Sequence, residues 1–246
     1  MVKSNIGENI NSYNLSVCKL RRFYMIKNRT LQLMFQTAFC TLGLLGIIAS
    51  VGTFNYTWRG DFYVHFTNLS NYLCIGIMLA ELVQTVKKKE DSYVDKCPLL
   101  KFIGVLSILL TFIVFNFMLA GDREMYLNFQ INSVLFHIIL PVLYILDWFL
   151  FYERGKVKIT NPLYSTIFPL LYVGFIFIRA WILNFDPTIP YIYPYFFLNL
   201  DKLGVVGVVK WVILLSLGFI IAGFLFLAID KIPFRNIKAN KKEKND

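Results

Sequence analysis

A hydroxyl beside an imidazole is the smallest pair of side chains that can open an ester. The imidazole takes the proton while the oxygen attacks the carbonyl. The chain has 246 residues and two histidines, His65 and His137. His137 stands in "NSVLFHIILP", and Thr67 in "DFYVHFTNLSNYL". Each stretch passes from polar into strongly apolar sequence. Asn71, Asn116, Arg179 and Lys210 sit in comparable surroundings, and each can steady an oxyanion or hold a fatty carboxylate. Ser70 and Asn71 follow Thr67 at i+3 and i+4, so in a helix they share its face. His65 falls near the opposite side of that helix. Ser133 and Tyr144 take the face of His137.

The elements that carry these residues are membrane helices. The chain is 57% hydrophobic and 17% aromatic, whereas a soluble domain is about 45–50% apolar. A run of about 20 apolar residues crosses the hydrocarbon. Six such runs occur, near 31–54, 62–86, 100–120, 131–152, 163–185 and 205–230. The loops between them are short. The sequence therefore predicts one all-α domain, a polytopic six-transmembrane-helix bundle over 31–230. A basic arm (1–30) precedes it and a charged tail (231–246) follows. No apolar stretch of signal-peptide type precedes residue 31.

The net charge is +10, and its distribution points to lipid. Most of the Lys and Arg fall in the arm, the second and fourth loops, and the tail, with Lys101 counted in the second loop. Basic loops stay on the cytoplasmic side. Both termini are thus expected in the cytoplasm, in a multi-pass protein of the cell membrane. The basic surplus faces anionic headgroups of the bilayer. Nucleic acid is not an expected partner, because no binding-fold signature accompanies the charge. No Cys or His spacing suggests a metal, and no cofactor is implied. Glu81 and Asp147, near the inner ends of the second and fourth helices, raise the idea of a transporter's proton path. No basic partner stands near them in the sequence.

This topology sets the depths. The second, fourth and sixth helices run inward, so Thr67, His137 and Lys210 lie roughly 8 Å below the outer end. The third and fifth run outward, and place Asn116 and Arg179 within two turns of the same end. Ionisable side chains in the bilayer cost about 2.5–3.5 kcal/mol each on insertion scales and normally face a bundle interior or a watery cavity. A polar pocket under the outer leaflet is expected. Pro141 should bend the fourth helix just below His137. Asp122, Arg123 and Glu124 read as a solvated outer turn. "NFDPTIPYIYPYFFLNLDKLG" reads as an interfacial segment, either a lid or a connector.

Four stretches carry a resemblance. A Thr opens the second helix after a Gly and an aromatic ("RGDFYVHFTNL"), and "DREMY" precedes the fourth. An Asn, a His and a Pro follow inside that helix ("NSVLFHIILP"). "YIYPYFFLNLDKLG" leads into the sixth. Over roughly 31–230 the chain resembles the androgen-induced and androgen-dependent TFPI-regulating proteins, and more closely their bacterial six-helix relatives. The resemblance implies a membrane threonine hydrolase of fatty acid esters of hydroxy fatty acids, with Thr67 as nucleophile and His137 as base. The expected function is a lipid-ester hydrolase acting on fatty-acyl esters in the outer leaflet. The rival is a non-enzymatic protein that binds or transports an anionic lipid or small molecule, gripped by Arg179 and Lys210.

Overall fold

A computed structural model describes residues 28–52, 62–87, 97–119, 131–183 and 192–232. Nearly all of the expected arm and tail lies outside these residues. So do the turn at Asp122, Arg123 and Glu124 and the first part of the segment after the fifth helix. All regular structure among the described residues is helical.

Six long helical stretches follow in order among the described residues, with a short 3-10 turn, Phe196–Leu198, just before the last. They are α1 (Arg29–Ser50), α2 (Phe66–Val86), α3 (Pro98–Ile113, continued by a π-helical stretch Val114–Leu119), α4, α5 (Asn161–Ser165 and Ile167–Leu183) and α6 (Leu200–Lys231). The fourth, α4, comes in three joined pieces: Ile131–Val134, a π-helical Leu135–Ile139, and Leu140–Leu150. Five of the six (all but α4) are long and apolar enough to cross a membrane.

Local chemistry explains the starts. The Asn28 side chain accepts from the Leu31 amide at 3.1 Å, and the Asn199 side chain accepts from the Lys202 amide at 3.0 Å. Both satisfy an amide that the first turn leaves bare. A proline opens α3, where its missing N–H costs nothing. Gly204 has φ 62° and ψ 172°, a conformation that side chains with a Cβ rarely adopt. It sets the first turn of α6 apart from the rod that begins at residue 205, the start expected from hydropathy.

Bonds between helix ends give the topology. Arg29, at the start of α1, donates to the carbonyls of Thr85 and Val86 at the end of α2. At the other end, Ser50 meets the Tyr72 hydroxyl at 3.0 Å. Likewise Lys101 meets Glu81 while Ser70 meets Thr111, so α2 and α3 are antiparallel. The Val157 amide, ahead of α5, donates to Asp230 near the end of α6. Neighbours therefore alternate in direction. We call the end with Arg29 and Lys231 the basic end, and the other the far end.

The core has two parts. Phe39, Cys74, Met78, Phe102, Leu106, Tyr144 and Trp148 fill the space among α1 to α4. Tyr172, Ile176, Tyr195, Phe197 and Val208 fill the far end between α5 and α6. Glycine lets α1 come close: a Cβ on Gly43 would sit 2.7 Å from Cγ1 of Ile75, and one on Gly46 would strike the Phe136 ring. Close approach through small residues is how membrane helices gain contact. Leu171, Ile178, Val205, Ile213 and Leu214 are exposed along α5 and α6, which suits hydrocarbon surroundings.

The placement of Lys101 corrects the sequence reading. It is the fourth residue of α3, not a loop residue, and is wholly buried.

Candidate functional site

Thr67 is the second residue of α2 and is buried. It stands on the wall of a cavity at the far end, open at its mouth. The cavity lies between α2, α3, α5, α6 and the segment before α6. Its wall is mainly apolar, from Phe66, Leu110, Val114, Phe115, Val173, Leu198 and Phe219, and hydroxyls come from Thr67, Tyr172, Tyr195 and Ser216. Apolar lining with a few converging polar groups is the usual make-up of a ligand site. Thr111 also lines it, with its hydroxyl 2.8 Å from that of Ser70.

The hydroxyl group that meets Thr67 is the phenol of Tyr195. This phenol lies in hydrogen-bonding range of the Thr67 side chain, of the Tyr172 phenol, and of the amides of Phe66 and Thr67. Those amides belong to the first turn of α2, which has no side-chain cap. Burial pushes the Tyr195 phenol up from its ordinary value, and the bonds from Thr67 and the two amides pull it back. Tyr172 completes the wall by donating to the Val64 carbonyl at 3.0 Å.

His137 lies in the π-helical part of α4. The cause is four residues on: Pro141 has no amide to give and its ring crowds the carbonyl of residue 137. The Leu140 amide consequently reaches back to Leu135, which frees the Phe136 carbonyl. Asn71 takes it: Nδ2 donates to Phe136 at 2.9 Å and to the Thr67 carbonyl at 2.8 Å. One side-chain nitrogen thus holds the backbone beside His137 and the backbone of Thr67 at one level. Such π-bulges often mark functional sites.

The His137 ring is fixed from two sides. Nδ1 lies 2.9 Å from the Ser133 carbonyl. A carbonyl only accepts, so Nδ1 carries the hydrogen and Nε2 keeps its lone pair. One face stacks on Phe115, with centroids 3.6 Å apart and planes at 19°. Phe115 itself lines the cavity and sits in the π-helical stretch of α3. No hydrogen bond joins Thr67 to His137 among the described residues.

The remaining expected residues divide. Asn116 follows Phe115 and bonds its own helix, donating to the Phe112 carbonyl at 2.8 Å. Arg179 is half-buried, near enough to Tyr172 for its charge to act there, and its Nη1 donates to the Ile192 carbonyl at 2.7 Å. It pins the segment that brings Tyr195, Phe197 and Leu198 to the cavity. Lys210 stands exposed on α6 and lines no part of the cavity.

His65 corrects a second expectation. Its backbone is extended, φ −82° and ψ 136°, because it precedes α2 as the N-cap rather than lying within it. Helical spacing does not apply to it. Its ring meets Tyr195 edge-on with centroids 6.0 Å apart, so it belongs to the site.

Sequence reasoning also missed a partner at the basic end. Lys101 Nζ lies 2.8 Å from Glu81 Oε2 and 2.5 Å from Asp147 Oδ2. It sits 4.3 Å above the centre of the Tyr144 ring. The basic group that Glu81 and Asp147 lack in sequence comes to them from α3. Comparison with protein-family models, curated proteins and solved structures finds no match to this chain.

Proposed function

We propose that the chain is a six-span protein of the cell membrane, cytoplasmic at both termini, that hydrolyses fatty-acyl esters drawn from the outer leaflet. α4 is the sixth span: from Ile131 to Leu150 it reaches about 30 Å at ~1.5 Å per residue. The far end then faces outward, and the acyl chain lies in the apolar cavity with its ester at Thr67. One observation carries the reading. A buried threonine lines an apolar cavity and is held through Asn71 at the level of an imidazole whose Nε2 keeps its lone pair. The resemblance of the surrounding motifs to the threonine hydrolases supports the same roles.

In this reading Thr67 Oγ1 attacks the carbonyl carbon and His137 Nε2 takes its proton. The bond to the alkoxide breaks and the alkoxide receives that proton. Water, deprotonated by His137, then releases the acid and restores Thr67. Tyr195 and the first amides of α2 steady the oxyanion. Asn71 positions, and Asn116 and Arg179 hold the walls. Thr67 and His137 close on each other when substrate is bound, as catalytic hydrogen bonds often tighten only then. The missing Thr67–His137 bond also favours a second reading, a lipid binder that uses the cavity without chemistry.

The test uses the purified chain in detergent, a fluorescent acyl ester and a serine/threonine-reactive fluorophosphonate. Labelling of wild type that vanishes in Thr67→Ala and in His137→Ala is the expected result. A folded wild type that binds the acyl ester without being labelled overturns the hydrolase and leaves the binder.

A further inference from the structure

We infer that the far-end cavity is loaded sideways, through the cleft between α5 and α6, and that its occupant is a single acyl chain of a lipid in the leaflet beside it. The inference rests on the proposed reading for the class of ligand, and not for the chemistry at Thr67.

The cleft begins with a proline. Pro169 has no amide for the Ser165 carbonyl, and its ring crowds that carbonyl. There α5 breaks, at Thr166, into its two pieces. The first piece packs hard on α6: a Cβ on Gly223 would sit 3.0 Å from Cβ of Pro162. The second piece, Ile167–Leu183, stands off from α6. At the far end the two are joined by the segment that precedes α6. Tyr195 stacks on Phe197 with centroids 5.0 Å apart, and Trp211 of α6 meets the Phe196 ring edge-on at 5.5 Å. Tyr195 also lies edge-on to Tyr172 of α5. This segment roofs the cavity. Phe219 is its floor, since it lines the cavity and is buried in the core shared with α1 to α4.

Exposure shows which side is open. Phe66, Thr67, Tyr195, Phe197 and Leu198 are buried on the inner wall and the roof. On the other side Leu170 is 44% exposed, and Val173, Leu215 and Ser216 are half-buried. Beside them in sequence, Leu171, Leu214 and Leu217 are exposed. The mouth is thus rimmed mainly by aliphatic side chains on two helices long enough to cross a membrane, and hydrocarbon stands before it.

Shape and direction select the occupant. From Val212 to Phe219 α6 rises about 10 Å, and a helix with its side chains is about 10–12 Å across. A partner's helix does not fit between roof and floor, whereas a single chain does. Thr67 stands at the far-end start of α2, and Phe219 near the middle of α6. An ester at Thr67 with its tail toward Phe219 has the depth and direction of an acyl chain in the leaflet at the far end. The lipid slides in without turning over, whichever face of the membrane that end meets.

The test uses the full chain in phosphatidylcholine vesicles with a fatty-acyl ester whose tail ends in a photoactivatable diazirine, and maps the adducts by mass spectrometry. Adducts on Phe219, Leu215 and Leu110 in wild type, falling to background in Leu170→Trp and in Ser216→Trp, are the expected result. Adducts confined to Leu171, Leu214 and Leu217 overturn the inference and leave ordinary boundary lipid. Cavity adducts undiminished in both variants overturn the doorway. The wild-type map needs no variant, and should one variant fail to fold, the other decides the route. Ester cleavage, followed in the same vesicles, separates this from the chemistry. Cavity adducts without cleavage keep the doorway and remove the hydrolase, and cleavage without cavity adducts does the reverse.

Discussion

Asn71 shows how much one side chain does in this bundle. It has no exposed surface, and its amide bridges two helices through carbonyls that belong to Thr67 and Phe136. Only the Phe136 carbonyl depends on it, because the π-turn has taken away the usual helical donor. Asn71→Leu keeps the volume and removes the donor. An unsatisfied buried carbonyl costs about 1–3 kcal/mol, so the thermal midpoint in detergent should fall. An unchanged midpoint would show that Phe136 finds another donor. The row Thr67, Ser70 and Asn71 was legible in the sequence because its spacing is helical and local. Lys101 was not. Its partners lie 20 and 46 residues away, and a lysine at the edge of an apolar run looks alike whether it ends a loop or starts a buried turn. His65 was misread for a related reason: helical spacing was carried one residue past the start of the helix.

At the scale of the element, the two π-helical stretches matter most. Val114–Leu119 presents Phe115 and Leu135–Ile139 presents His137, and the two rings stack. Hydropathy located both helices, and Pro141 announced a disturbance near His137. It could not announce that the disturbance would be a wider turn bolted down by Asn71, because that depends on a neighbouring helix. Pro141→Ala separates fold from function. Alanine restores an amide, and proline inside a helix is about 3 kcal/mol less favourable than alanine. The helix should regularise, the Phe136 carbonyl should return to the Leu140 amide, and the His137 ring should rotate away from its present bearing. Fluorophosphonate labelling is expected to drop sharply while the thermal midpoint holds or rises. Labelling at the wild-type level with a regular α4 would remove the π-turn from the mechanism.

For the whole molecule, the decisive quantity is which end faces the cytoplasm. Arg29, Lys87, Lys156, Lys158 and Lys231 all gather at the basic end of the described residues, while Arg179, Lys202 and Lys210 lie toward the other. In the proposed orientation, set by cytoplasmic retention of basic flanks, the cavity lies under the outer leaflet and the Glu81–Lys101–Asp147 cluster next to the cytoplasm. The chain carries its own reporter. Cys97, just ahead of α3 at the basic end, is exposed, whereas Cys40 and Cys74 are buried. In a Cys18→Ser background, a membrane-impermeant maleimide added to intact cells should leave the protein unlabelled, and permeabilised cells should give full labelling at Cys97. Labelling of intact cells would invert the bundle. On the proposed function, esters would then have to reach Thr67 from the cytoplasmic leaflet, so one thiol fixes the side from which the cavity is supplied.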